Sequence, residues 1–198
     1  MALKMRGTGS GAVECPDQGT YIARVVSILD LDLQPGYEYQ GEEIEAQYKV
    51  SITYELPSSR TKDDKPHWVS EEFKVSNHER SNMYKRVNAI DPTGAITNKG
   101  ENLANLINAV CMVSVEPNKN GYAKITAVTS APNGMPVAEL ENTPQVFDWD
   151  APDMEVYNRL PEFMQNKLKG GLNFEGSALH RELAMSGGTN NGSKDEVF

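Results

Sequence analysis

The clearest pattern in the chain is an alternation with a period of two. In IEAQYKVSITYEL, residues 44–56, the positions Ile44, Ala46, Tyr48, Val50, Ile52, Tyr54 and Leu56 alternate with Glu45, Gln47, Lys49, Ser51, Thr53 and Glu55. Strand side chains point to opposite faces in turn, so the run predicts a long antiparallel strand with one buried face and one wet face. On that reading Tyr48 and Tyr54 lie in the core beside Val50 and Ile52. TYIARVVSIL, residues 20–29, is dense in β-branched and aromatic residues and predicts a strand before it. HWVSEEFKVS, residues 67–76, predicts a strand after it, with Val69, Phe73 and Val75 on one side and Trp68, Glu72 and Lys74 on the other. Two more strands, VCMVSVEP and YAKITAVTS, flank NKNG, where Asn120-Gly121 is a hairpin turn signal.

Between the third and fourth strands the period lengthens. NHERSNMYKRVNAI, residues 77–90, spaces Met83, Val87 and Ile90 as a helix does, and GENLANLINAV, residues 100–110, does the same with Leu103, Leu106, Ile107 and Val110. DPTGAITNKG between them reads as loop. Three strands, a helical segment and a closing hairpin are the element order of a five-stranded OB-fold barrel, although an SH3-like barrel or a small α+β sandwich produces similar runs. In VFDWDAPDMEVYNRLPEFMQNKLKGG, Asp150 can cap a helix near Pro152, Pro161 can start another and Gly170-Gly171 ends it. The expected fold is mainly β. An N-terminal arm occupies 1–18, an OB-fold domain 19–132, an extension with short helices 133–170 and a flexible acidic tail 171–198.

Charge and composition narrow the classes. The chain has 198 residues, 38% of them apolar, and a net charge of −9, which on its face opposes a polyanionic partner. The excess is uneven: residues 1–132 hold 14 Lys and Arg against 17 Asp and Glu, and residues 133–198 hold 5 against 11. Cys15 and Cys111 are far apart, and His67, His78 and His180 are scattered, so no disulfide framework, metal site or cofactor is indicated. No run is long enough to span a bilayer and MALKMRGTGSG lacks a secretory signal's apolar stretch. A cytoplasmic protein without membrane association is expected, and a homo-oligomer is compatible with the sequence.

OB-folds bind ligands on strands two and three and in the loops joining strands one to two and four to five. Here those places, with Arg24 on the first strand, hold Tyr37 and Tyr39 in the first loop, Lys49, Trp68 and Lys74 on the outward strand faces, and Lys119, Tyr122 and Lys124 on the last hairpin. Arg60, Lys62 and Lys65 extend the basic edge. Rings interleaved with cations suit single-stranded nucleic acid, because bases stack on the rings and phosphates meet the cations. Glu45, Glu55 and Glu72 dilute the charge on the same face. This is a binding surface, not a catalytic one.

The stretches GTYIARVVSILDLDLQ, YKVSITYELP, HWVSEEFKVS, GYAKITAVTSAPNGM and FDWDAPDMEVYNRLPEFMQNKL resemble a family of bacteriophage single-stranded DNA-binding proteins of OB-fold type, over about residues 18–170. The resemblance implies a role in phage DNA replication, recombination and repair. The chain's end, GSKDEVF, is similar to the acidic tip with a terminal Phe that bacterial and phage single-stranded DNA-binding proteins dock on their partners. It implies that Asp195, Glu196, Val197 and Phe198 recruit replication or recombination proteins. A terminal Phe with its own carboxylate suits an apolar pocket rimmed by basic side chains.

Two other readings stay open. Glu72-Phe73-Lys74 has the acid-x-Lys spacing of many endonucleases, and with Asp30 and Asp32 it suggests a magnesium-dependent nuclease. The low basic excess suits instead a phage interaction or assembly module whose barrel binds protein.

Overall fold

The computed structural model describes residues 14–132 and 134–188. Its strands are β1 (Gly19–Gln34), the short hairpin β2 (Tyr37–Tyr39) and β3 (Glu42–Ile44), then β4 (Gln47–Arg60), β5 (Pro66–Lys74), β6 (Val110–Pro117), β7 (Ala123–Ser130) and β8 (Gln145–Phe147). The main sheet runs β5-β4-β1-β6-β7, antiparallel throughout, and β8 joins it parallel to β1. The sixteen residues of β1 hold this sheet together. Residues 19–24 pair with β6, residues 24–34 pair with β4, and Ser27 to Leu29 take up β8. The β1–β4 register shifts between Val25 and Ser27 and again between Asp30 and Asp32, where Asp32 adopts φ of 53°. Such bulges bend and twist a strand, which lets one long strand serve both halves of a curled sheet.

β5 and β7 approach each other but share no ladder, so the strand path has two ends. The closed five-stranded barrel expected from the sequence is therefore not present as a hydrogen-bonded ring. Helix α1 (Asn82–Ile90) bridges the seam instead: Arg86 pairs with Glu71 of β5, and the Ala89 carbonyl accepts the Ser130 hydroxyl of β7 at 2.8 Å. The helix starts five residues later than the periodicity predicts because Ser81 caps it, its Oγ accepting the Tyr84 N–H at 3.1 Å. The run read as a second helix, residues 100–110, forms only a 3₁₀ turn (Leu103–Leu106), since Asn102 caps it, Asn108 turns left-handed at φ 67° and Val110 is drawn into β6. A short α2 (Ala95–Lys99) lies in the segment read as loop, between the left-handed Gly94 and Gly100.

Two apolar clusters lie on opposite sides of β1. The first gathers Val25, Ile52, Tyr54, Leu56, Val69, Phe73, Val87, Leu106, Val113 and Val128 inside the curled sheet. The second joins Leu29 and Leu31 to Phe147, Trp149, and the helices α3 (Met154–Arg159), α4 (Glu162–Lys169) and α5 (Ala178–Gly188). The alternation in β4 holds for Val50, Ile52, Tyr54 and Leu56, but Tyr48 is 54% exposed and not in the core. It lies at the strand's outer end, beyond the reach of the first cluster. The expected wet face is not wet: Ser51, Thr53 and Glu55 are buried, because residues after 137 fold back over it. The tail assigned to 171–198 is corrected over its first part. Ser177 Oγ accepts the His180 N–H at 3.0 Å to start α5, and Leu179 has no exposed surface. The start of the N-terminal arm, including Lys4 and Arg6, and the tip Asp195, Glu196, Val197 and Phe198 lie outside the described residues.

Candidate nucleic-acid interface

Pairing in the sheet places Arg24 opposite Glu55 and Glu55 opposite Trp68, so a row of three crosses β1, β4 and β5. Trp68 is 37% exposed, and its indole N–H donates to Glu55 Oε2 at 3.1 Å. The ring is thereby fixed in orientation while part of its surface faces outward. Glu55 is fully buried, yet its carboxylate has four donors: Trp68 Nε1, the Glu141 and Asn142 backbone N–H groups at 2.8 and 3.3 Å, and Asn142 Nδ2 at 2.7 Å. A carboxylate this deep is tolerated only when so paired.

The same row extends along β4 and β5 through Thr53–Ser70, Ser51–Glu72 and Lys49–Lys74. Six residues of strand separate Trp68 from Lys74, about 20 Å. At the far end Lys49 Nζ stands 5.1 Å from the centre of the Tyr37 ring. That end is mixed in sign. Tyr37 and Tyr39 are exposed on the β2–β3 hairpin, but Glu38 faces Glu43 and Tyr39 faces Glu42 across it. Gly36 permits the hairpin's close return, because a Cβ there would collide with the Ile44 carbonyl oxygen. Between the ends, Glu72 is tied to Lys167 of α4.

The cations expected to form one surface fall into three situations. Arg24 is largely buried: it donates to the Asn108 carbonyl and side chain, both at 3.0 Å, to the Ala138 carbonyl at 2.7 Å, and to Glu139 at 3.3 Å. Arg60 is held by Asp64 and by both oxygens of Glu141, at 2.5 and 3.1 Å, and these carboxylates, Glu141 first, raise its pKa above the ordinary guanidinium value. Lys62 and Lys65 are exposed on the β4–β5 loop, and Lys74 is exposed on β5. Lys119, Tyr122 and Lys124 lie exposed at the β6–β7 hairpin, with Lys124 opposite Glu116. The register puts this hairpin beyond Gly19, the same end of β1 toward which β4 carries Arg60. Trp68, Arg24, Arg60, Lys62, Lys65 and the last hairpin therefore cluster toward one end, and Tyr37, Tyr39, Lys49 and Lys74 toward the other.

The nuclease constellation does not assemble. Glu72 belongs to the Lys167 pair, and among the described residues no group of three His, Cys, Asp or Glu side chains is placed to hold a metal ion. Burial pushes the Asp30 carboxyl above its ordinary value, the bond it accepts from the Asp32 backbone N–H opposes the shift, and the Asp32, Asp148 and Asp150 carboxylates add to it. The residues that sequence reading missed are Glu55, Glu139, Glu141 and Asn142. Their contacts join positions 81 to 115 residues apart, except for the local Glu55–Trp68 bond, and no local spacing announces them.

Comparison with protein-family models, with curated proteins and with solved structures found no match. Among the described residues no helix is long and apolar enough to cross a membrane.

Proposed function

We propose that the chain is a non-catalytic, sequence-independent single-stranded DNA-binding protein of phage replication or recombination, built on an OB-type sheet left open at one seam. The strand order supports the OB reading, since β1 pairs with both the second and fourth of the five principal strands and a helix packs between the third and fourth. The observation that carries the function is Trp68. A half-exposed indole, fixed by a bond to a buried carboxylate and flanked by Arg24, Arg60, Lys62 and Lys65, is a stacking platform with cations on the path of the strand. Stacking accepts every base, so sequence preference is weak.

The test is a fluorescence titration with an unstructured oligonucleotide. The other tryptophan, Trp149, is buried in the second cluster, so quenching on binding reports Trp68. Trp68→Ala is expected to remove the quench and weaken binding by about 1 to 3 kcal/mol, roughly five- to 150-fold. Undiminished affinity in that variant, followed by fluorescence anisotropy, overturns the reading.

A further inference from the structure

Arg24 and Arg60, two cations of the proposed interface, are already occupied by carboxylates of the same chain. Residues 138–142 cross the outward face of β1 and β4, where the Ala138 carbonyl and Glu139 meet Arg24 and Glu141 meets Arg60 through both oxygens. This strap is fastened by its main chain, since Glu55 accepts the Glu141 and Asn142 N–H groups. Its acidic side chains are not fastened in the same way. Glu139 is 81% exposed and Glu141 48% exposed along their side chains. They can swing away without unpacking any apolar residue or breaking the Glu55 anchor.

The Arg60 guanidinium, which receives Glu141 through both oxygens, presents the same fork to a phosphate, and the Arg24 Nη2 that meets one oxygen of Glu139 can take one phosphate oxygen in its place. Resting on the nucleic-acid reading above, we propose that Glu139 and Glu141 are internal competitors for the phosphate positions at Arg24 and Arg60. A single strand enters by carboxylate-for-phosphate exchange over a strap that stays in place. The exchange lowers affinity for every polyanion that reaches both arginines, and only those that also stack on Trp68 keep enough binding free energy to stay bound. A net-negative protein can thus keep arginines at its interface without holding loose polyanions.

The experiment compares the full chain with Glu139→Gln/Glu141→Gln in oligonucleotide titrations across a salt series. A second double variant, Glu175→Gln/Glu182→Gln, makes the same charge change on and beside α5, at residues not in contact with the strap, and thermal midpoints show that all three are folded. The strap variant is expected to bind about fivefold more tightly, the worth of two ion pairs whose carboxylate ends are open to solvent. The gain is expected to shrink as salt rises, because salt screens the carboxylate–guanidinium pairs. The slope of log K against log salt is expected to change by less than about 0.7, the effect of one added phosphate contact, since the parent chain makes the same contacts after the exchange. Gains no larger than those of the α5 variant, or weaker binding, overturn the competition and leave the Trp68 interface standing. Absence of binding in all three proteins overturns both.

Discussion

Glu55 has no exposed surface, yet it fixes the most distinctive side chain of the proposed interface and the segment that lies over it. Removing its carboxylate strands the Trp68 indole N–H and the strap's N–H groups together. Glu55→Ala is therefore expected to cost about 3 kcal/mol of stability, and Glu55→Gln less, because the amide oxygen still accepts. Urea unfolding measures both, and Trp68 emission in the folded Gln variant shows whether the ring has been released. A second buried acid gives a dependence on pH. Burial pushes the Glu71 carboxyl above 4.5, with Arg86 and the Tyr54 hydroxyl opposing the shift. A carboxyl whose value is raised on folding binds its proton more tightly in the native state, so its contribution to stability falls as pH rises from the unfolded value through the folded one. Unfolding midpoints from about pH 4 to about pH 7 should show that decline in the parent chain and not in Glu71→Gln. Arg86→Met should move it to higher pH, since it removes the attraction that holds the shift down. An unchanged profile in Glu71→Gln would assign the decline to another group.

Helix α5 divides what was legible at the scale of elements from what was not. Its stretch reads as polar tail because Gly, Ser and Asn surround a short apolar pattern, yet Leu179 is buried in the cluster that also holds Leu31, Trp149 and Leu168. Leu179→Ala is expected to cost about 2 to 5 kcal/mol, and Met185→Ala on the same helix, 61% exposed, about 0.5 kcal/mol or less. Thermal midpoints of the two variants decide whether the helix belongs to the folded unit. The strands were legible because each carries its own period: β1, β4, β5, β6 and β7 all fall where alternation or β-branched density puts them. The weak periodic run at Leu103 to Val110 was not, because its last residue gains a sheet partner in Arg24 that no local rule can see. The burial of Ser51, Thr53 and Glu55 escaped for the same reason, since the covering segment begins more than 80 residues later. Of the proposed interface, the exposure of Trp68 followed from its charged neighbours along β5, whereas the acids that occupy Arg24 and Arg60 are set by long-range contacts.

For the molecule as a whole, the charge distribution and the proposed interface pull in opposite directions, and the described residues show where they meet. Of the eleven acids that stand against five bases after residue 132, nine lie among the described residues, and there Glu139 and Glu141 face the sheet and Lys167 returns a charge to Glu72. The remaining acids of the C-terminal tip, Asp195 and Glu196, precede Val197 and Phe198, and on the proposed function these four residues recruit a partner while the sheet holds DNA. That division separates two measurements. A chain ending at Lys194 should bind an unstructured oligonucleotide at least as tightly as the full chain, because two acidic side chains are gone, the α-carboxylate is now that of Lys194, and the stacking surface is intact. The gain should shrink as salt screens it, over a Debye length of about 10 Å at 0.1 M. The same truncation should abolish retention of replication or recombination proteins on the immobilised chain. Loss of oligonucleotide binding on truncation would instead make the tip part of the DNA site. Partner retention that survives it would place the docking surface on the folded body, where Phe163 on α4 and Leu172 just after it are exposed and offer the apolar surface such a contact needs.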